Sequence, residues 1–100
     1  MKIELSRAAN EELAAAARFY ERAKRGLGAE FMDMVDEAFA RIADAPRSFA
    51  HYPGSRDVRR ALARRFPYWI VFAIRSRDVV RVLAVAHARR APGYWKGRGA

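Results

Sequence analysis

The stretch that decides the fold is YWIVFAIRSRDVVRVLAVAH, residues 68–87. In its first part, bulky apolar residues recur at every second position, at Tyr68, Ile70, Phe72 and Ile74. This period of two is typical of a β-strand, and the short polar link at residues 76–78 suits a hairpin connection. The stretch therefore predicts two antiparallel strands, residues 68–75 and 79–87.

The residues just before this stretch extend the same pattern. Residues 58–64 predict a further strand, and residues 65–67 contain a proline that turns the chain. The preceding residues 47–56 are predicted to be a loop, in which Tyr-Pro-Gly at residues 52–54 marks a turn. Three consecutive strands joined by short links predict an antiparallel meander.

The first part of the chain carries one short strand and two helices. Polar and apolar residues alternate at residues 2–5, which predicts a strand. Ser6 can cap the helix that follows, and the glycines within residues 26–28 can end it. A second helix is predicted from residue 29 to residue 44, because apolar residues recur there at helical spacing before Pro46.

The order of these elements is strand, helix, helix and three strands, which predicts an α+β fold. We expect an antiparallel helical hairpin on one face of a twisted, mostly antiparallel four-stranded sheet, followed by a short C-terminal tail or helix. One hundred residues predict a single domain, residues 1–100. No apolar run approaches the roughly 20 residues that a membrane helix needs, so we expect a cytoplasmic protein without a membrane partner.

Cysteine is absent, and the chain has two histidines. The absence of cysteine excludes disulfide bridges and thiolate ligands for metals. Two histidines without cysteine make a poor metal site. We therefore expect that the protein uses neither a metal ion nor another cofactor.

Charge is distributed unevenly along the chain. Residues 1–44 contain seven Lys or Arg and nine Asp or Glu, a balance of −2, whereas residues 45–100 contain thirteen and two, a balance of +11. Most basic residues are arginine, which binds carboxylates and phosphates through paired hydrogen bonds. The basic half therefore predicts a polyanionic partner, either nucleic acid or an acidic protein segment.

Several short motifs, in a fixed order along the chain, carry a resemblance to a known family. They are Tyr20, Gly26-Leu27-Gly28, Phe31, Tyr52-Pro53-Gly54, Arg59-Arg60, Arg65-Phe66-Pro67-Tyr68, Ile70-Val71-Phe72 and the segment from His87 to Trp95. Together they resemble toxins of the RelE/ParE superfamily from bacterial type II toxin–antitoxin systems, most of all its ParE-like, or plasmid stabilisation, branch. The resemblance extends from Ile3 to Trp95.

The resemblance implies that the protein inhibits growth by binding DNA gyrase and that a cognate acidic antitoxin silences it in a hetero-oligomer. In this family the antitoxin wraps an extended or helical segment around the toxin, and an edge of the predicted sheet could accept an added strand. The side chains expected to contact the target or the antitoxin are Arg59, Arg60, Arg64, Arg65, Arg89, Arg90, Tyr94 and Trp95.

The RelE-like branch of the superfamily suggests an alternative function, cleavage of messenger RNA on the ribosome. This reaction needs a base, an acid and cations that stabilise the charged phosphorane. The candidate catalytic residues would be His87, Arg65, Arg89, Arg90 and Tyr94. However, an arginine that ribonuclease members carry just after the position of Tyr68 is replaced here by Trp69, which favours gyrase binding without catalysis.

A plain nucleic-acid-binding module is a third hypothesis, because Tyr68, Trp69 and Phe72 are interleaved with basic charge and could stack on the bases of a single strand. Tyr68 and Phe72 share the parity of Ile70 and Ile74, however, and their face of the strand predicts core. Tyr94 and Trp95 are most simply apolar lids over the sheet, with their polar tips near water. We therefore rank nucleic-acid binding last.

Overall fold

The computed structural model describes residues 1–98. Its elements are β1 (Lys2–Leu5), α1 (Arg7–Ala23), α2 (Leu27–Asp44), a 3₁₀ turn (Pro46–Ser48), β2 (Val58–Leu62), β3 (Tyr68–Ile74) and β4 (Val79–His87). This order confirms the predicted α+β class. After β4, residues 91–98 follow a series of turns rather than a helix.

The four strands form one sheet in the order β1-β4-β3-β2. The strands β2, β3 and β4 are antiparallel to their neighbours, as expected of a meander, whereas β1 runs parallel to β4. The parallel pairing joins β1 to residues 79–82 alone. Consequently, the second half of β4 has no neighbouring strand on that side within residues 1–98.

Ser6 connects β1 to α1 and determines where the helix begins. Its hydroxyl oxygen accepts a hydrogen bond from the amide of Ala9 at 3.0 Å, and the hydroxyl donates to the carbonyl oxygen of Leu83 at 3.3 Å. The amide of Ser6 also donates to the carbonyl oxygen of Val82 at 2.9 Å. The predicted helix cap is thereby confirmed, and it fixes the start of α1 against β4.

Both helices pack on one face of the sheet and bury the larger core. The predicted apolar face of β3 is confirmed, since Ile70 and Phe72 are fully buried beneath the helices. The helical side chains buried in this core are Ala9, Leu13, Ala16, Phe31, Val35, Ala38 and Ile42. Because each large apolar side chain contributes about 1.5–3 kcal/mol when buried, the helix–sheet interface is the main source of stability.

The link between the helices differs from the prediction in one respect. Gly26 adopts a left-handed φ of 88° and precedes α2, which begins at Leu27 instead of residue 29. Gly28 lies in the first turn of α2, where a β-carbon would stand 2.7 Å from the carbonyl oxygen of Ala17. Gly28 therefore permits close packing of the two helices and does not end α1. The carboxylate of Glu21 accepts hydrogen bonds from the amides of both glycines.

The tail covers the face of the sheet opposite the helices. Trp95 is 5% exposed and belongs to a second apolar cluster with Val71 and Leu83. Its ring meets that of Tyr52 edge-on, with the ring centroids 5.0 Å apart. The tail is therefore part of the folded domain and contributes to its core.

At one edge of the sheet, β2 is covered by the chain itself. The amide of Tyr52 donates to the carbonyl oxygen of Val58 at 2.7 Å. The amide of Arg60 donates to the carbonyl oxygen of Ala50 at 3.2 Å. The carbonyl oxygen of Leu62, the last residue of β2, accepts a hydrogen bond from Nη2 of Arg41 at 3.0 Å. The expectation that a sheet edge could accept a partner strand is therefore wrong for the first part of β2, because residues 50–52 already pair there with Val58 and Arg60.

Candidate functional site

Four of the arginines predicted to bind a partner meet at one end of the sheet. The amide of Ala88 donates to the carbonyl oxygen of Pro67 at 2.7 Å, and Tyr68 pairs with His87. The turn after β2 therefore lies beside the segment that follows β4. We define the cationic end as the four exposed residues Arg64, Arg65, Arg89 and Arg90.

Two arginines of the cationic end, Arg64 and Arg65, form ion pairs with α2. The Nη2 atom of Arg65 lies 3.0 Å from Oε1 of Glu30, and Nη1 of Arg64 lies 3.6 Å from Oε2 of Glu37. The two arginine side chains nevertheless remain 59% and 67% exposed, respectively. Exposed ion pairs are weak and screened by salt, so both positive charges stay available to a partner.

Arg90 is held in a different way, by an aromatic ring. Its guanidinium carbon lies 4.0 Å from the centre of the Tyr94 ring, and that of Arg98 lies 4.8 Å from the same centre. The hydroxyl of Tyr94 donates to Oε2 of Glu12 at 2.8 Å. Tyr94 thus attracts two guanidinium groups through its π system and is tied to α1 by a carboxylate.

The environment of Tyr94 also sets the protonation of its phenol. Burial, and after it the hydrogen bond to Glu12, raise the pKa of Tyr94 well above its usual range, while the charges of Arg98 and Arg90 lower it in part. A phenol with a raised pKa keeps its proton at neutral pH. Tyr94 can therefore donate a hydrogen bond but is a poor general base.

His87 lies beside Tyr94 at the end of β4. Its Nδ1 atom accepts a hydrogen bond from the amide of Arg89 at 3.1 Å, and its ring meets that of Tyr68 edge-on at a centroid distance of 5.2 Å. A cavity of about 280 Å³ opens here between α1 and β4. Its lining includes Phe19, Tyr68, His87, Arg90 and Tyr94, so three of the candidate catalytic residues share one small cavity.

Arg59 and Arg60 lie outside the cationic end, on β2. They point to opposite faces of the sheet because successive side chains alternate along a strand. Arg59 donates to the carbonyl oxygens of Arg47 and Phe49, at 3.2 and 2.6 Å. The guanidinium carbon of Arg60 lies 4.0 Å from the ring centre of Trp69. Groups of the protein itself therefore hold both side chains.

Trp95, predicted as a contact residue, lies in the core beneath the tail. It covers the sheet as expected of an apolar lid, but its indole nitrogen is buried and has no hydrogen-bond partner within residues 1–98. The expectation that the polar tip of Trp95 lies near water is therefore wrong. In this position Trp95 supports the tail and presents almost no surface to a partner.

Two residues of this site, Glu12 and Arg98, were not predicted. Glu12 follows Ala9 by three positions and precedes Ala16 by four, so it lies on the buried stripe of α1. That spacing is a signal that could have identified it. Arg98 carries no such signal, because the hydrogen bond that it donates to Glu12 spans 86 residues of sequence.

Comparison with known proteins identifies the family. A family model described as the ParE toxin of the type II toxin-antitoxin system, parDE, matches residues 3–92. The chain belongs to the ParE toxin family. The ParE-like resemblance inferred from the sequence motifs is thereby confirmed.

Among solved structures, this ParE-family chain is similar to one described as the chromosomal ParDE TA system from P. aeruginosa. The TM-score is 0.72 at 18% sequence identity, and the match covers 87% of this chain and 95% of the other. At this identity the similarity concerns the fold alone. A search of curated proteins finds no match.

Within the part of the chain that the structure describes, no group of three or more His, Cys, Asp or Glu could hold a metal ion. None of the helices found there combines the length and the apolar character that crossing a membrane requires.

Proposed function

We propose that this protein is the toxin of a type II toxin–antitoxin module and that it arrests growth by binding DNA gyrase. The observation that carries the proposal is the match of the ParE toxin model to residues 3–92. The cationic end supplies a suitable contact surface, because its four arginines are exposed and the two segments that carry them are adjacent. Arginine is among the residues that contribute most to binding at protein interfaces.

We further propose that a cognate acidic antitoxin neutralises the toxin in a cytoplasmic hetero-oligomer by covering the cationic end. Carboxylates of such a partner could replace Glu30 at Arg65 and Glu37 at Arg64. The exchange would cost little, since an exposed ion pair contributes about 0–1 kcal/mol. Antitoxin binding should accordingly weaken as salt is added.

The state of Tyr94 makes this residue unsuitable as the base of an RNA-cleavage reaction. Cleavage of RNA would require a base near the attacking hydroxyl, whereas the hydroxyl of Tyr94 donates to Glu12 and its pKa is raised by burial. The position at which ribonuclease members carry an arginine is occupied by Trp69, whose ring contacts Arg60.

One observation supports cleavage of messenger RNA on the ribosome as a second candidate function. His87, Arg90 and Tyr94 line the same cavity. These residue types can supply proton transfer and a cation to a charged transition state. An experiment that examines gyrase and messenger RNA separately distinguishes the two functions.

The purified protein would be added to a DNA supercoiling reaction with gyrase and, separately, to translating ribosomes. We expect supercoiling to be inhibited at concentrations that leave messenger RNA intact. Cells that express the protein should form filaments and induce DNA damage signalling. Cleaved messenger RNA together with unaffected gyrase would refute the proposal and favour the ribonuclease.

A pair of double variants tests the cationic end within the same assay. Arg89→Ala with Arg90→Ala should weaken gyrase inhibition at least about tenfold, as expected when dominant interface residues are truncated. Arg56→Ala with Arg77→Ala removes the same charge from exposed positions at the other end of the sheet and should leave inhibition unchanged. Equal losses in the two double variants would mean that only net charge matters.

A further inference from the structure

Glu12 lies beside the second half of β4, which the described part of the chain leaves without a neighbouring strand on one side. Because β1 pairs with residues 79–82 alone, the later residues of β4 need other partners on that side. The amide of Val85 donates to Oε1 of Glu12 at 3.1 Å. Nη1 of Arg98 donates to the carbonyl oxygen of Leu83 at 3.4 Å. The hydroxyl of Ser6 also donates to the carbonyl oxygen of Leu83, so the carboxylate and the guanidinium, together with Ser6, take the place of a neighbouring strand.

The same carboxylate also binds the tail. Its Oε2 atom accepts a hydrogen bond from the hydroxyl of Tyr94 at 2.8 Å, and its Oε1 atom accepts one from Arg98 at 2.9 Å. The side chains of Glu12 and Arg98 are only 19% and 23% exposed. Hydrogen bonds to charged groups are strong where solvent is largely excluded, so Glu12 fixes the tail against both α1 and β4.

Tyr94 extends this constraint to the cationic end. The bond to Glu12 sets the position of the Tyr94 ring, and the guanidinium carbon of Arg90 lies 4.0 Å from the centre of that ring. A side chain that is already ordered loses less conformational freedom when a partner binds it. Arg90 is thereby presented in a defined orientation, although it is itself exposed.

We propose that Glu12 is a positioning residue for the contact with gyrase: it holds Tyr94, and through Tyr94 it orients Arg90 toward the partner. This inference rests on the proposed function, because it assigns Arg90 to the gyrase contact. Glu12 acts indirectly, since its two carboxylate oxygens are already bonded to Val85, Tyr94 and Arg98.

A double-mutant cycle tests this role by measuring gyrase inhibition for wild type, Glu12→Gln, Arg90→Ala and the combined variant. Each single substitution should weaken inhibition about tenfold, roughly the effect of one charge-assisted hydrogen bond. The combined variant should be no weaker than Arg90→Ala alone, because residues that act through one another are not additive. If Glu12→Gln weakens inhibition by the same factor with and without Arg90, its role is merely structural and the inference is wrong.

Glu11→Gln is the matched control, because Glu11 is the exposed neighbour with the same charge, and it should inhibit as well as wild type. If Glu12→Gln does not fold, Tyr94→Phe takes its place in the cycle, since it removes the bond to Glu12 and leaves those to Val85 and Arg98. Wild-type protein without any effect on gyrase would refute both the proposed function and the inference. Wild-type inhibition with additive variants would refute the inference alone.

Discussion

Three of the four arginines of the cationic end are held in two different ways, although they lie at the same end of the sheet. Arg64 and Arg65 form exposed ion pairs with carboxylates of α2. Arg90 instead stacks on Tyr94, whose hydroxyl is bonded to the largely buried Glu12. We refer to the first pair as the turn-side arginines and to Arg90 as the tail-side arginine.

This difference shows that one cationic surface can combine two physical properties. Exposed ion pairs contribute little to stability and are screened by salt, so the turn-side arginines can exchange their carboxylates for those of a partner. An aromatic ring fixed by a charge-assisted hydrogen bond restricts rotamers, so the tail-side arginine is preorganised. The turn side is suited to electrostatic attraction, and the tail side is suited to a contact of defined geometry.

Removing Trp95 should have the largest effect, because it anchors the tail that carries Tyr94. Trp95→Ala would leave a cavity against the second face of the sheet and should lower the free energy of unfolding by about 3–5 kcal/mol. Urea denaturation followed by circular dichroism measures this loss. Phe19→Ala is the control, since Phe19 is 58% exposed, and it should cost less than about 1 kcal/mol. A similarly small loss for Trp95→Ala would mean that the tail is not part of the core.

The sheet and the helices could be predicted because their signals are local. Ile70 and Phe72 share a parity, which identifies the buried face of β3 without knowledge of the rest of the chain. The sequence predicts the start of α2 two residues late, because glycines at residues 26 and 28 are typical of a helix end. Glycine is required at position 28 because a β-carbon there would lie too close to the carbonyl oxygen of Ala17 in the neighbouring helix. The spacing of residues in one sequence gives no information on the distance between two helices.

The candidate site could be predicted only in part, for the same reason. The charge difference between the two halves indicates the basic half, since charge is read directly from residue types, and the resemblance to a family selects particular arginines within it. The bond between Glu12 and Arg98 joins the start of the chain to its tail, and no periodicity reports a contact over that distance. The burial of Trp95 likewise depends on the tail folding back over the sheet.

Replacing Tyr94 should have an intermediate effect and tests the tail side directly. Tyr94→Phe removes the hydrogen bond to Glu12 and should destabilise the protein by about 1.5 kcal/mol at neutral pH. The pKa of Tyr94 in the folded protein is raised above the usual 10.0, chiefly by burial. The associated stabilisation is complete below pH 10 and is lost as the pH rises from there through the folded-state pKa.

Unfolding free energies measured on both sides of pH 10 therefore distinguish the two proteins. Wild type should lose more stability toward alkaline pH than Tyr94→Phe does. Burial also raises the pKa of Tyr20 and of Tyr68, so the alkaline loss should be reduced in the variant and should not disappear. Identical alkaline losses in both proteins would indicate that Tyr94 titrates as freely in the folded state as in the unfolded chain.

Neutralising the turn-side arginines should have the smallest effect on stability. Arg64→Gln with Arg65→Gln should change the free energy of unfolding by no more than about 1 kcal/mol, because both arginine side chains are largely exposed and their ion pairs are screened. The same variant should bind an acidic antitoxin with a weaker salt dependence, since two of the charges that attract the partner are gone.

The measurements are thermal unfolding of the variant and its antitoxin affinity at low and high salt. Arg56→Gln with Arg77→Gln is the matched control, and it should keep the wild-type salt dependence of binding because these residues lie away from the cationic end. A stability loss well above 1 kcal/mol would show that the ion pairs to Glu30 and Glu37 are structural. In that case the turn-side and tail-side arginines would be held equally firmly. The carboxylates of the antitoxin would then have to bind arginines that keep their ion pairs to Glu30 and Glu37.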